Sequence, residues 1–97
     1  MLEHQIEKYF LWAVASLGGK TYKFRSIKQS GVADRIVCLP NGDTWFVELK
    51  APKGKLSELQ KFFEKEITGL SQKYACLWEK EQIDEWLETQ RLSRKSS

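Results

Sequence analysis

The segment GVADRIVCLPNGDTWFVELK, residues Gly31 to Lys50, decides the fold of this 97-residue chain, because it predicts two strands joined by a tight turn. Pro40-Asn41-Gly42 suits a three-residue hairpin loop, with Pro in a type I turn and Gly in the left-handed bulge position. Counting pairs back from that loop places Asp34 opposite Glu48. A two-residue Asn-Gly loop is the alternative, and it would move Asp34 to the other face of the sheet.

Three charged residues of this hairpin stand where strands normally carry apolar ones. Asp34 and Glu48 would have Cβ atoms about 5 Å apart, and strand alternation puts Lys50 on the face of Glu48. Two carboxylates this close repel each other unless a cation lies between them. Mg²⁺ is the predicted cation, because it prefers carboxylate oxygens and keeps several waters. Lys50 would orient a water or stabilise charge on an attacked phosphate.

The alternative for the same face is a solvated hairpin with a cross-strand salt bridge. Phe46, Ile36 and Val32 share the face of the three charges and argue against it. A mostly apolar face with charges at one end is typical of the wall of a functional site.

A family resemblance rests on an ordered set of short motifs. Gly18-Gly19…Lys23, then GVADR at residues 31–35, then FVELKAP…G at residues 46–54 resemble the small stand-alone VRR-NUC nucleases of the PD-(D/E)xK superfamily. The resemblance covers residues from about Glu3 to Trp78. One departure is Ala33, where the family carries a proline before the first aspartate.

The resemblance implies a Mg²⁺-dependent DNA endonuclease, with Mn²⁺ able to substitute. Asp34, Glu48 and the backbone carbonyl of Leu49 would bind the metal, and Lys50 would position the attacking water. Glu3, from the first helix, would join directly or through water, the alternative being a charge near the helix dipole. Related small nucleases pair into homodimers that cut four-way junctions, so branched DNA and a second copy are the expected partners.

Periodicity predicts the remaining elements, in the order α-β-β-β-α-β-α. Continuous apolar strands imply helices on both faces of a mixed sheet, a three-layer, restriction-endonuclease-like α/β fold. One domain is expected over residues 1–90, with a mobile basic tail over 91–97. The expected elements outside the hairpin are a helix at 2–17, a strand at 20–26, a helix after Ser57, a strand at 73–78 placed inside the sheet, and a helix at 81–90.

The predicted second helix begins with a capping box, Ser57-x-x-Gln60. Gln60 is either the partner of that cap or a polar partner of the site, and the two roles are compatible. The buried face of the helix is predicted to consist of Leu56, Leu59, Phe63, Ile67 and Leu70.

Positive charge is concentrated in residues 18–55, which hold eight Lys or Arg residues against three acids, although the net charge of the chain is only +3. A basic region around an acidic site is typical of a protein that guides a polyanion to a bound metal. Without the motif, the same charges would indicate only an ordinary solvated surface. The candidate DNA contacts are Lys23, Arg25, Lys28, Arg35, Lys53 and Lys55.

Composition excludes several other classes of protein. Cys38 and Cys76 are expected to be buried free thiols, and their spacing fits no zinc motif. No apolar run approaches the ~20 residues of a membrane helix and no signal peptide is evident, so a cytoplasmic protein is expected. A bacterial or phage origin is also expected. The sequence shows neither a Ser/His or Cys/His constellation nor a phosphate-cradling Gly loop, and no nucleotide cofactor is expected. A non-cleaving module for branched DNA or RNA and a flap-type nuclease remain as alternatives.

Overall fold

The structure, a computed structural model, describes residues 2–24 and 31–95, with side chains up to residue 93. Three helices and four strands follow one another in the predicted order. Their bounds are α1 Glu3–Ser16, β1 Lys20–Lys23, β2 Arg35–Cys38, β3 Thr44–Leu49, α2 Glu58–Gly69, β4 Lys73–Leu77 and α3 Lys80–Lys95.

The β2–β3 hairpin has the predicted register. Ile36 pairs with Phe46, and Cys38 pairs with Thr44. The amide of Leu39 donates to the carbonyl of Asp43 at 2.9 Å across the loop, and Gly42 has a φ of +95°, a conformation that favours glycine. The loop therefore has three residues, and the two-residue alternative is wrong.

The sheet is mixed, with the strand order β1-β2-β3-β4. The first three strands are antiparallel, and β4 runs parallel to β3. Helices α1 and α3 pack on one face, where Phe10 and Trp86 have ring centroids 5.2 Å apart. Helix α2 lies on the other face, where Phe63 contacts Phe46 at a ring-centroid distance of 6.0 Å. The three-layer prediction is confirmed.

The prediction that strand 73–78 lies inside the sheet is wrong, because β4 is an edge strand of the described sheet. Its apolar character has a different cause. Leu77 joins the core shared with α1 and α3, while Tyr74 contacts Phe63 of α2 on the opposite face at a ring-centroid distance of 6.4 Å. An edge strand that is covered by helices on both faces needs apolar residues on both.

The predicted apolar face of α2 is only partly covered. Phe63 and Ile67 are half-buried, but Leu59 is 55% exposed, Leu70 is 65% exposed, and the neighbouring Phe62 is 64% exposed. Among the described residues, the aromatic contacts of α2 are those of Phe63 with Phe46 of β3 and with Tyr74 of β4. The apolar face of this helix is thus wider than the surface that the sheet offers it.

Two smaller expectations also fail. Cys38 is a free thiol but is exposed, whereas Cys76 is a half-buried free thiol. The last helix continues to Lys95, so the segment predicted as a tail is helical as far as that residue. Across the described ranges, no helix is both long and apolar enough to span a membrane.

Candidate active site

The centre of the site is the meeting of Asp34 with Glu48, at the point where β2 begins and β3 ends. The amide of Asp34 donates to Oε2 of Glu48 at 3.0 Å, and the amide of Leu49 lies 3.4 Å from Oδ2 of Asp34. The backbone of Asp34 therefore holds the carboxylate of Glu48, and the backbone of Leu49, the residue after Glu48, lies against the carboxylate of Asp34. The predicted pairing of the two acids is present, as an extension of the strand register.

Glu48 is almost fully removed from solvent, with 2% of its surface exposed. Burial is the main cause that raises the pKa of this carboxyl to about 7, and the charge of Asp34 adds to it. Lys50 opposes the effect, since its Nζ lies 3.8 Å from Oε1 of Glu48. A single lysine at that distance compensates the negative charge of the two acids only in part.

Gln60 fills both of its predicted roles at once. Its side-chain oxygen accepts from the backbone amide of Ser57 at 2.8 Å. Its backbone amide donates to Oγ of Ser57 at 3.1 Å, which completes the capping box. Its side-chain nitrogen donates to Oε1 of Glu48. The start of α2 is thereby fixed against the buried acid of β3.

Gly31 allows α2 to come this close to the beginning of the site segment. It has a φ of +89°, and a Cβ atom there would lie 2.6 Å from the backbone of Leu59. Only glycine fits both the conformation and the contact.

A cleft of about 160 Å³ opens on the side of the site that faces α1. Its lining includes Asp34 and Leu49 from the hairpin segment and Glu3, Glu7 and Lys23 from α1 and β1. Glu3 is solvent-exposed and lines this cleft together with Asp34, and its role at a metal, directly or through water, stays a prediction.

Glu7 and Arg35 form the pair that sequence reasoning missed. The Arg35 guanidinium lies 3.1 Å from Oε1 of Glu7, and Nζ of Lys23 lies 4.0 Å from the same oxygen. Arg35 is only 6% exposed. The available signal was the spacing of Glu3 and Glu7, which places them one turn apart on the same face of the helix.

The candidate DNA contacts lie in different surroundings. Lys53 and Lys55 are exposed in the loop that follows Lys50. Lys23 is exposed at the cleft, but Arg35 is buried against Glu7, so any contact of Arg35 with DNA is confined to the cleft. Arg25 and Lys28 lie outside the described residues.

The residues present fit a hard divalent cation. Two carboxylates and a peptide carbonyl would offer an all-oxygen donor set, which Mg²⁺ and Mn²⁺ accept. Burial and the neighbouring charge of Asp34 raise the pKa of Glu48, and a bound cation would offset both effects. In the part of the chain that the structure covers, no group of three or more His, Cys, Asp or Glu side chains is arranged for a metal. A Mg²⁺ ion there would complete its shell with water or substrate oxygens.

Comparison with known proteins identifies a similar fold. No protein-family model matches the chain. A solved structure described as a "VRR_NUC domain" superposes with a TM-score of 0.83 at 28% identity, over 89% of this chain and 94% of that one. The chain is therefore similar to a VRR-NUC domain in both fold and sequence.

A curated relative is similar in sequence. "Putative nuclease p44" of Acyrthosiphon pisum secondary endosymbiont phage 1 is 48% identical over 58 residues, which are 60% of this chain. The matched region spans 62% of that protein's length. The resemblance to VRR-NUC nucleases and the three-layer fold predicted from the motifs are both confirmed.

Proposed function

We propose that this protein is a VRR-NUC-type, Mg²⁺-dependent, structure-specific DNA endonuclease that hydrolyses phosphodiester bonds in four-way junctions as a homodimer. The observation that carries the proposal is the meeting of Asp34, buried Glu48 and Lys50 at the open end of the β2–β3 hairpin. The names of the two similar proteins support nuclease activity.

Each residue of the site has a role that its surroundings suit. Asp34, Glu48 and the carbonyl of Leu49 would hold Mg²⁺, which when bound supplies positive charge and activates the attacking water. Gln60 fixes the orientation of Glu48 through its hydrogen bond to Oε1. Lys50, half-buried beside the same oxygen, orients the water or stabilises negative charge that develops on the phosphate.

The charges around the site suit a DNA backbone. Lys53 and Lys55 extend from the loop after Lys50, and Lys23 lies at the cleft. Contacts to phosphate position a protein on DNA without reading its sequence. A protein that contacts DNA mainly through these lysines would recognise the branched shape of the DNA rather than its bases.

Exposed apolar side chains on α2 support the homodimer. Leu59, Phe62 and Leu70 are all more than half exposed. Paired incision of a four-way junction needs two sites, and a two-fold dimer of a chain with one site provides them. Light scattering at micromolar concentration should therefore give about twice the 11.3 kDa chain mass.

The decisive experiment offers labelled four-way junction, flap and duplex DNA to the protein, in Mg²⁺, in Mn²⁺ and in EDTA. We expect two symmetric nicks across the junction in either metal and none in EDTA. Asp34→Ala and Glu48→Ala should abolish cleavage while DNA binding persists, because each removes a metal ligand and a charge that repels phosphate. Glu85→Ala, at an exposed position of α3, is the matched control and should cleave normally.

Three outcomes would change the proposal. Near wild-type cleavage by either site variant would refute the metal-site assignment. Cutting of flaps alone by a monomer would indicate a flap-type nuclease. Tight junction binding without cleavage in any metal would indicate a non-cleaving module.

A further inference from the structure

A groove beside the proposed active site has the chemistry of a nucleotide-binding surface. It has a volume of about 420 Å³ and is lined by Gly54, Lys55, Leu56, Lys61 and Trp78. We call it the Trp78 groove. None of these lining residues is acidic, and the two lysines are both exposed.

The Trp78 groove adjoins the active site through the backbone on two sides. Trp78 directly follows Leu77, whose carbonyl accepts from the amide of Lys50 at 3.0 Å. Lys61 directly follows Gln60, which donates to the carboxylate of Glu48. A DNA strand whose phosphate reaches the active site therefore passes close to this groove.

The indole of Trp78 is held in a fixed position. Its Nε1 donates to the carbonyl of Gly54 at 2.6 Å, and its backbone amide donates to the side chain of Gln82 at 2.6 Å. An aromatic ring that is already fixed loses little conformational freedom when a base stacks on it. Trp78 is half-buried and forms one wall of the groove.

The lysines are available to phosphate. Lys61 lies 3.2 Å from Glu58, but this ion pair is exposed on both sides, and such pairs contribute little to stability. A DNA phosphate can replace Glu58 as the partner of Lys61 at small cost. Lys55 lies on the same groove, within the loop that leaves the active site.

We propose that the Trp78 groove binds one unpaired nucleotide of the DNA strand beside the cleaved phosphate. The base stacks on the indole of Trp78, and Lys55 and Lys61 contact the flanking phosphates. This inference rests on the proposed nuclease function. It also gives a reason for a branched substrate, because a base at a branch point is unstacked at lower cost than one inside a duplex.

The test measures binding of a short labelled oligothymidylate to the full chain in EDTA, by fluorescence anisotropy. Stacking contributes enough that Trp78→Leu should weaken binding by about tenfold, while Trp78→Phe keeps a ring and should lose less. Trp12→Leu is the matched control, since Trp12 is 52% exposed on α1, and it should bind like wild type.

The lysines are tested by the salt dependence of binding. Lys55→Ala and Lys61→Ala should each reduce the slope of log affinity against log salt by about 0.7. Lys8→Ala, which removes an exposed lysine from α1, is the control and should leave the slope unchanged.

An oligonucleotide with one abasic position keeps the test valid even where a Trp78 variant folds poorly. Moved along the strand, the abasic site should weaken wild-type binding at one register, and its effect should be lost in Trp78→Leu. Equal binding by wild type and a folded Trp78→Leu, with no effect of the abasic site, would overturn the groove even if junction cleavage is real. Trp78-dependent binding without cleavage would instead refute the nuclease and leave the groove standing.

Discussion

Replacement of Glu48 by glutamine should abolish cleavage and yet stabilise the metal-free protein at neutral pH. Burial and the neighbouring Asp34 raise the pKa of Glu48 to about 7, from an ordinary value near 4.5. At about 1.4 kcal/mol for each tenfold difference in proton affinity, the charged carboxylate costs the folded state about 3 kcal/mol. Glutamine removes that charge and keeps the shape of the side chain.

The sign of the effect follows from proton linkage. The folded state holds the Glu48 proton more tightly than the unfolded state does. The contribution of Glu48 to stability is therefore greatest below pH 4.5 and is lost as the pH rises through 7. Glu48→Gln removes this loss. The side chain of glutamine cannot accept from both Asp34 and Gln60 as the carboxylate does, and one lost hydrogen bond costs about 1 kcal/mol. We therefore expect a net gain of about 2 kcal/mol at pH 8 and a small loss at pH 4.5.

Thermal unfolding in EDTA, followed by circular dichroism from pH 4.5 to pH 8, measures this difference. For a domain of this size, the gain corresponds to a rise in Tm of about 10 °C at pH 8. Glu66→Gln, at an exposed position of α2, should leave the pH profile unchanged. Addition of Mg²⁺ should stabilise the wild type at pH 8 but not Glu48→Gln. Equal destabilisation of Glu48→Gln at both pH values would refute the reasoning, because it would mean that the carboxylate is well compensated.

Three further changes test the supports of the site. Gly31→Ala should lower the free energy of unfolding by at least about 2 kcal/mol in urea titrations, because of its positive φ and its close contact with Leu59. Gln60→Leu should cost about 1 kcal/mol more than Ser57→Ala in the same assay, because it removes the hydrogen bond to Oε1 of the buried Glu48 as well as breaking the cap; equal costs would contradict that contact. Lys50→Ala should reduce cleavage about 100-fold while calorimetry still detects Mg²⁺ binding, and lost Mg²⁺ binding would contradict that division of roles.

The parts of the fold that could be predicted are those that local chemistry specifies. The Pro40-Asn41-Gly42 loop sets the hairpin register, and that register alone brings Asp34 to Glu48. The capping box of Ser57 and Gln60 likewise specifies the residue at which α2 begins. In each case, the signal is a short stretch whose conformation does not depend on the rest of the chain.

The errors concern the way in which elements meet. An apolar strand reads the same whether strands or helices cover it, so the edge position of β4 is not visible in its residues. The width of the sheet beneath α2 is equally absent from the helix sequence, and Leu59 and Leu70 were therefore predicted to be buried. The ion pair of Arg35 with Glu7 was not predicted, because nothing in β2 shows that α1 lies against it.

The charged pair at the end of the hairpin is the strongest sign of function, because folding alone does not favour it. A buried acid beside a second acid lowers stability, and the chain devotes a backbone amide and the Gln60 side chain to holding Glu48 in that position. An apolar residue at this position would need neither hydrogen bond and would avoid the cost of a charge buried beside Asp34. A preorganised catalytic site requires charged side chains that several elements hold in one geometry, even where their burial lowers stability.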